Sequence, residues 1–128
     1  MREIIFRGKR VGNGEWYYGY LLQPNIISNV VNGQLEYADL FVDENTVGQY
    51  TGRKDKNDKK IFDGDIVVGN FPYGEKGVVV WDEKRCGFYI LPYWEHGVGR
   101  AGNDKYYKMN AAKLEIIGNI YDNPIYLK

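Results

Sequence analysis

The stretch Gly77-Val78-Val79-Val80-Trp81-Asp82-Glu83-Lys84-Arg85-Cys86-Gly87-Phe88-Tyr89-Ile90-Leu91-Pro92-Tyr93 decides the class of fold. Its Val-rich first part, ending in Trp81, reads as a strand, because β-branched and aromatic side chains fit a pleated, half-buried surface. Glu83-Lys84-Arg85 is a polar turn, and Gly87–Tyr93 is the next strand. Outward from this pair, Ile61–Phe71 reads as one strand around Gly64-Asp65, followed by a turn at Pro72-Tyr73-Gly74. Tyr106–Met109 is a short strand, and Asn110 stands where it can cap a single helical turn over Ala111–Lys113. Leu114–Tyr121 is the last strand, stopped by Asn123-Pro124.

Five strands with one helical turn before the last resemble the order of a small SH3-type barrel, which avoids exposed strand edges by partial closure. The N-terminal part is built from hairpins. Ile4 and Phe6 alternate with polar residues, Asn13-Gly14 favours a tight turn, and Trp16, Tyr18 and Tyr20 alternate with Glu15, Tyr17 and Gly19. A second pair, Ile26–Val31 and Gln34–Phe41, flanks Asn32-Gly33, and Pro24 ends the strand before it. Asp43 can cap a short turn over Glu44 and Asn45, and Thr46–Thr51 reads as extended. The expected fold is mainly β: a β-hairpin-rich part at 1–52 and a partly open SH3-type barrel at 53–128, packed as one compact unit. The segments Phe6-Arg7-Gly8-Lys9-Arg10 and Tyr50-Thr51-Gly52-Arg53-Lys54 echo each other, each followed by a polar turn and a strand interrupted by Gly.

Composition narrows the functional classes. The chain has 128 residues, 17 Lys+Arg and 17 Asp+Glu, so its formal net charge is +0. That balance argues against coating nucleic acid or a membrane by bulk charge, although it permits a local patch. One cysteine, Cys86, and one histidine, His96, exclude an internal disulfide and the thiolate and two-histidine zinc sets. No run reaches membrane-span length and the N-terminus has no secretory core, so a cytoplasmic protein without membrane contact is expected.

Candidate chemistry is sparse. Cys86 lies beside Lys84 and Arg85, which can activate a thiol, but a cysteine entering a strand reads as packing. His96 follows Glu95 in a Gly-rich loop and reads as a surface residue. Asp63-Gly64-Asp65 brings two carboxylates together, yet no further metal ligand is evident, and turn chemistry explains the motif. No cofactor, metal or catalytic residue is expected. Two basic turns, Arg7, Lys9, Arg10 and Arg53, Lys54, Lys56, Lys59, Lys60, form a candidate nucleic-acid-binding surface if they converge. Asp55 and Asp58 dilute the second of them, so solvated hairpin tips are the favoured reading. Twenty aromatic residues exceed what one small core buries, which makes Trp16, Tyr18, Tyr20 and Trp94 candidate interface residues and self-association the expected partnership.

Several ordered blocks resemble one family. Phe6-Arg7-Gly8-Lys9-Arg10, Asn13-Gly14-Glu15-Trp16 and Gly19-Tyr20-Leu21-Leu22 resemble the opening of the YopX protein family. Residues 46–67 look like its central signature, and residues 81–90 and 114–124 are similar to its later blocks. The resemblance covers nearly the whole chain. It implies a small protein encoded in bacteriophages and prophages, an SH3-type barrel and no established enzymatic activity, and it carries over no catalytic residue. The function expected is a non-enzymatic binding or assembly module; the alternative is a nucleic-acid-binding accessory protein using the turns at 7–10 and 53–60.

Overall fold

In the computed structural model, Gly14 sits at φ +71° and turns β1 (Phe6–Lys9) back onto β2 (Trp16–Gln23). The structure describes residues 3–31, 34–35, 41–69, 76–94, 97–98 and 107–127. Two units are distinguished, Met1–Gly52 and Arg53–Lys128.

In the first unit, β3 (Ile26–Ser28), β2, β1 and β6 (Gly48–Lys54) follow one another in an antiparallel sheet. Arg7 lies opposite both Tyr18 and Gly48, and Tyr20 opposite Ser28. The single bridges Arg10↔Val42 and Ile26↔Phe41 draw the end of β1 and the start of β3 to one segment. The interior so formed is small. Ile27 and Val42 are buried in it, and a Cβ on Gly8 would stand 2.9 Å from Val42 Cγ2. Gly19 allows a still closer approach, since a Cβ there would stand 2.2 Å from the Ser28 carbonyl oxygen.

The expected strand Ile26–Val31 breaks at Asn29, where the Ser28 hydroxyl donates to the Asn29 carbonyl. Past the break, β4 (Val30–Val31) and β5 (Gln34–Leu35) form a short ladder of their own. Asn32-Gly33 and residues 36–40 lie outside the described residues. Asp43 caps a 3₁₀ turn over Glu44–Thr46 as its position suggests, its carboxylate accepting from the Asn45 amide. Thr46 Oγ1 then donates to the Asp43 carbonyl and accepts from the Lys9 amide, fixing that turn to β1.

The second unit opens with the end of β6, which turns at 55–59 into its neighbour β7 (Lys60–Phe62). Ile61–Phe71 is not one strand. Gly64, at φ +92°, turns the chain between β7 and β8 (Asp65–Val68), a conformation that side chains with a Cβ resist. The Asp65 carboxylate accepts from the Phe62 amide at 2.7 Å, closing the turn. Phe71 and the turn expected at 72–74 lie outside the described residues.

From β8 the chain meanders through β9 (Lys76–Asp82), β10 (Gly87–Trp94) and β12 (Tyr107–Lys108). Between the last two, β11 (Gly97–Val98) pairs with the end of β10. A 3₁₀ turn at Ala111–Lys113 then leads into β13 (Glu115–Asn119), which pairs with β8. A meander whose last strand follows a 3₁₀ turn and returns beside the first has the order of an SH3-type barrel. The chain is mainly β, and among the described residues its antiparallel sheets do not close.

Val79 lies opposite Ile90, and Val67 opposite Ile116, on the inner face. Ile61, Ala111 and Leu114 join them in the core, with Phe88, Tyr107 and Met109 packed at its margin. Burying each of the larger aliphatic side chains contributes about 1.5–3 kcal/mol. Two local expectations differ. The Asn110 side chain makes no capping bond; its carbonyl accepts from the Lys113 amide instead. The last strand stops at Asn119, because Asn119 Oδ1 accepts from the amides of Tyr121 and Asp122 and turns the chain.

Candidate functional site

The first basic segment is mostly strand rather than turn, since Arg7 and Lys9 belong to β1 and alternate onto one face of the sheet. Their cross-strand partners are Tyr18 and Trp16. The Arg7 guanidinium carbon lies 4.6 Å from the Trp16 ring centroid, and Lys9 Nζ lies 5.8 Å from the same ring. Arg10 stands 5.5 Å from the centroid of Tyr17. A cation over an indole face gains about 0.5–2 kcal/mol, more as the pair is desolvated. Arg7 is only 6 % exposed, so its charge supports β2 instead of reaching outward.

Beyond those pairs, the same face of β2 lies open. Tyr18 is 45 % exposed and Tyr20 51 %, and their spacing of two places them side by side on that face; Leu22, 44 % exposed, stands at a register shift between Leu21 and Gln23. Leu22 continues into an open groove of about 500 Å³, lined also by Leu21, Gln23, Pro24, Glu44 and Val47. The sequence pattern marked Trp16, Tyr18 and Tyr20 but not this groove, whose lining comes from two separate segments. Trp94 ends β10 opposite Gly97, and its side chain lies outside the described residues.

The second basic segment, in the other unit, is organised by a carboxylate. Asp55 is 5 % exposed. Its Oδ1 accepts from the amides of Asn57 and Lys59, both at 2.9 Å, and its Oδ2 accepts from the Ile116 amide at 3.0 Å. Burial alone would raise this carboxyl's pKa. The amides of Ile116, Lys59 and Asn57, helped by the Lys59 charge, outweigh burial and hold it below the usual carboxylate value. The Lys56 amide donates to the Leu114 carbonyl, so the tip is stitched to the start of β13.

Asp55 therefore does not dilute the surface charge of the tip; it points inward. Arg53, Lys54, Lys56 and Lys59 are exposed and Lys60 is half-buried. Lys54 pairs with Asp58 at 3.6 Å and Lys56 with Glu115 at 3.3 Å. The Lys56–Leu114 bond also brings the backbone of exposed Lys113 beside the tip, a neighbour that a separation of 57 positions hid from the sequence reading.

Of the remaining candidates, Asp65 has structural work to do. Asp65 is 1 % exposed and bonded within its turn, and no cluster of three or more metal-ligating side chains occurs among the described residues. Cys86 is not packed in a strand: it is exposed, at φ +51°, in the turn before β10, with its Sγ near the Glu83 carbonyl. Its neighbour Arg85 bonds the Asp82 carboxylate, which lowers that carboxyl's pKa, and lies over Tyr89. His96 lies outside the described residues. No helix of the described residues is long and apolar enough to cross a membrane.

Comparison with known proteins places these features. The family model described as YopX protein matches residues 5–128. The crystal structure of protein EF1440 from Enterococcus faecalis is similar at a TM-score of 0.56 and 18 % identity, covering 100 % of both chains. At that identity the likeness concerns the fold. Among curated proteins, none matches.

Proposed function

We propose, for a chain that belongs to the YopX family, that it is a non-enzymatic binding or assembly module of phage or prophage origin that associates with itself in the bacterial cytoplasm. One observation carries this reading: the exposed pair Tyr18 and Tyr20 on one face of β2, followed by exposed Leu22. Tyrosine suits such a role, because it buries a large ring while its hydroxyl stays satisfied at the rim. Cations over Trp16 and Tyr17 hold the start of the strand in place, which lowers the ordering entropy lost there on association. A formal net charge of +0 removes long-range repulsion between copies.

Sedimentation and light scattering across a micromolar range test the proposal. Self-association is expected for the native chain and loss of it for Tyr18→Ser/Tyr20→Ser. A monomer at high micromolar concentration refutes it. The second reading, a nucleic-acid accessory role, draws on a different observation, the inward turn of Asp55.

A further inference from the structure

We propose that the groove at the end of β2 receives the 3₁₀ turn Pro124–Leu127 of a second copy of the chain. This rests on the self-association proposed above and names the surface that the second copy presents. The receiving side is largely apolar: Leu21, Leu22, Pro24 and Val47 line it, and Gln23 and Glu44 supply its polar atoms. Its volume of about 500 Å³ falls in the range of sites that enclose a ligand. Glu44 is exposed there, one position past the capping Asp43.

Exposure and charge select the occupant. Ile125 is 71 % exposed, the highest value for a large apolar side chain among the described residues, and Tyr126 beside it is exposed as well. Lys76 holds this turn, its Nζ donating to the Tyr126 carbonyl at 3.2 Å and lying 5.3 Å from the centroid of the Tyr126 ring. An ammonium has three donors, so one bond to a carbonyl leaves others for a carboxylate. Glu44 of the groove supplies that carboxylate, and its charge complements that of Lys76. Asp122, the acid nearest the turn in sequence, accepts from the Asn119 side-chain amide. Other prominent apolar side chains fit less well, because Ile4 follows Glu3, Phe41 stands two positions before Asp43, and Trp81 two before Glu83. Acidic neighbours of that kind oppose Glu44. Exposed Val11 follows Arg10, whose guanidinium is already held over Tyr17.

Light scattering and sedimentation of the full chain across a micromolar range test the contact. Ile125→Ser is expected to weaken association about ten- to a hundredfold, the worth of one buried aliphatic side chain. Glu44→Lys sets a second cation against Lys76, and Lys76→Glu sets a second anion against Glu44. Each alone is expected to weaken association about tenfold or more. Mixed in equal amounts, the two variants are expected to recover it, since each groove then meets a turn of opposite charge. Unfolding midpoints equal to that of the native chain establish that the variants fold. Association unchanged in Ile125→Ser, or a mixture no tighter than its components, overturns the inference. Where the native chain still associates and Tyr18→Ser/Tyr20→Ser still abolishes it, the self-association reading stands without this contact. A native chain that is monomeric at high micromolar concentration overturns both.

Discussion

Replacing Asp55 tests the load carried by one side chain. Its two oxygens accept three backbone amides, two within the tip and one on β13. Asn keeps one acceptor oxygen and offers an NH₂ where the other stood. With the Asn57 and Lys59 bonds retained, a donor then faces the Ile116 amide. Losing one charge-assisted bond and leaving that donor buried costs about 2–3 kcal/mol, and Ala, which strands all three amides, costs about 4–5 kcal/mol. Against a total stability of about 5–15 kcal/mol these are large effects. In urea, with a slope near 2 kcal/mol per molar, the midpoint should fall by about 1 M for Asn and about 2 M for Ala.

The pH dependence has a defined sign. The Asp55 carboxyl is lowered in the folded chain from an ordinary value of 3.8. Its contribution is therefore complete above that value and is lost as pH falls through the lower, folded one. The gap between the native chain and Asp55→Asn should be constant from neutral pH down to about 5, then narrow in stronger acid. Amide hydrogen exchange supplies a local readout, with the Ile116 and Lys59 amides accelerated in Asp55→Asn while the Val79–Ile90 ladder is less affected. Equal urea midpoints at neutral pH, a gap that survives in acid, or an unchanged Ile116 amide refutes the latch.

Two substitutions probe backbone geometry. Gly19→Ala should destabilise by about 3 kcal/mol in the same urea assay, since its Cβ would meet the Ser28 carbonyl, which cannot swing aside as a side chain can. Cys86→Gly should raise stability by about 0.5 kcal/mol: relief of a left-handed backbone, worth about 1–2 kcal/mol, exceeds the added freedom of the unfolded chain.

The strand rhythm was legible because its causes are local. The Val-rich run at 78–80, the polar turn after Asp82 and the Asn13-Gly14 reversal each follow from the preferences of neighbouring residues. The SH3-type order followed from counting those strands and placing one helical turn at Ala111–Lys113. Strand ends were less visible. Gly64 splits a run that looked continuous, because β7 and β8 must part there, and Asn119 ends β13 early by taking two amides into its own side chain. The echoed segments show the same limit. As antiparallel neighbours, β1 and β6 place Phe6 opposite Gln49, but Gly8 is pressed against Val42 whereas Gly52 stands exposed at φ +86°. Equal letters serve different needs.

Charged residues misled the sequence reading for one physical reason. A charge in a polar run is assigned to solvent because burying it alone is costly. At Arg7 and Asp55 the compensation comes from elsewhere in the chain. Trp16 meets Arg7 from the facing strand, and the Ile116 amide meets Asp55 from 61 positions away. Neither leaves a local pattern, and their consequences for the surface are opposite. Burying Arg7 removes a cation from the first basic segment, while burying Asp55 removes an anion from the second. Equal totals of acid and base thus say little about the face each segment presents. That face depends on which charges the backbone has already claimed, and here the claim leaves the second tip the more basic of the two.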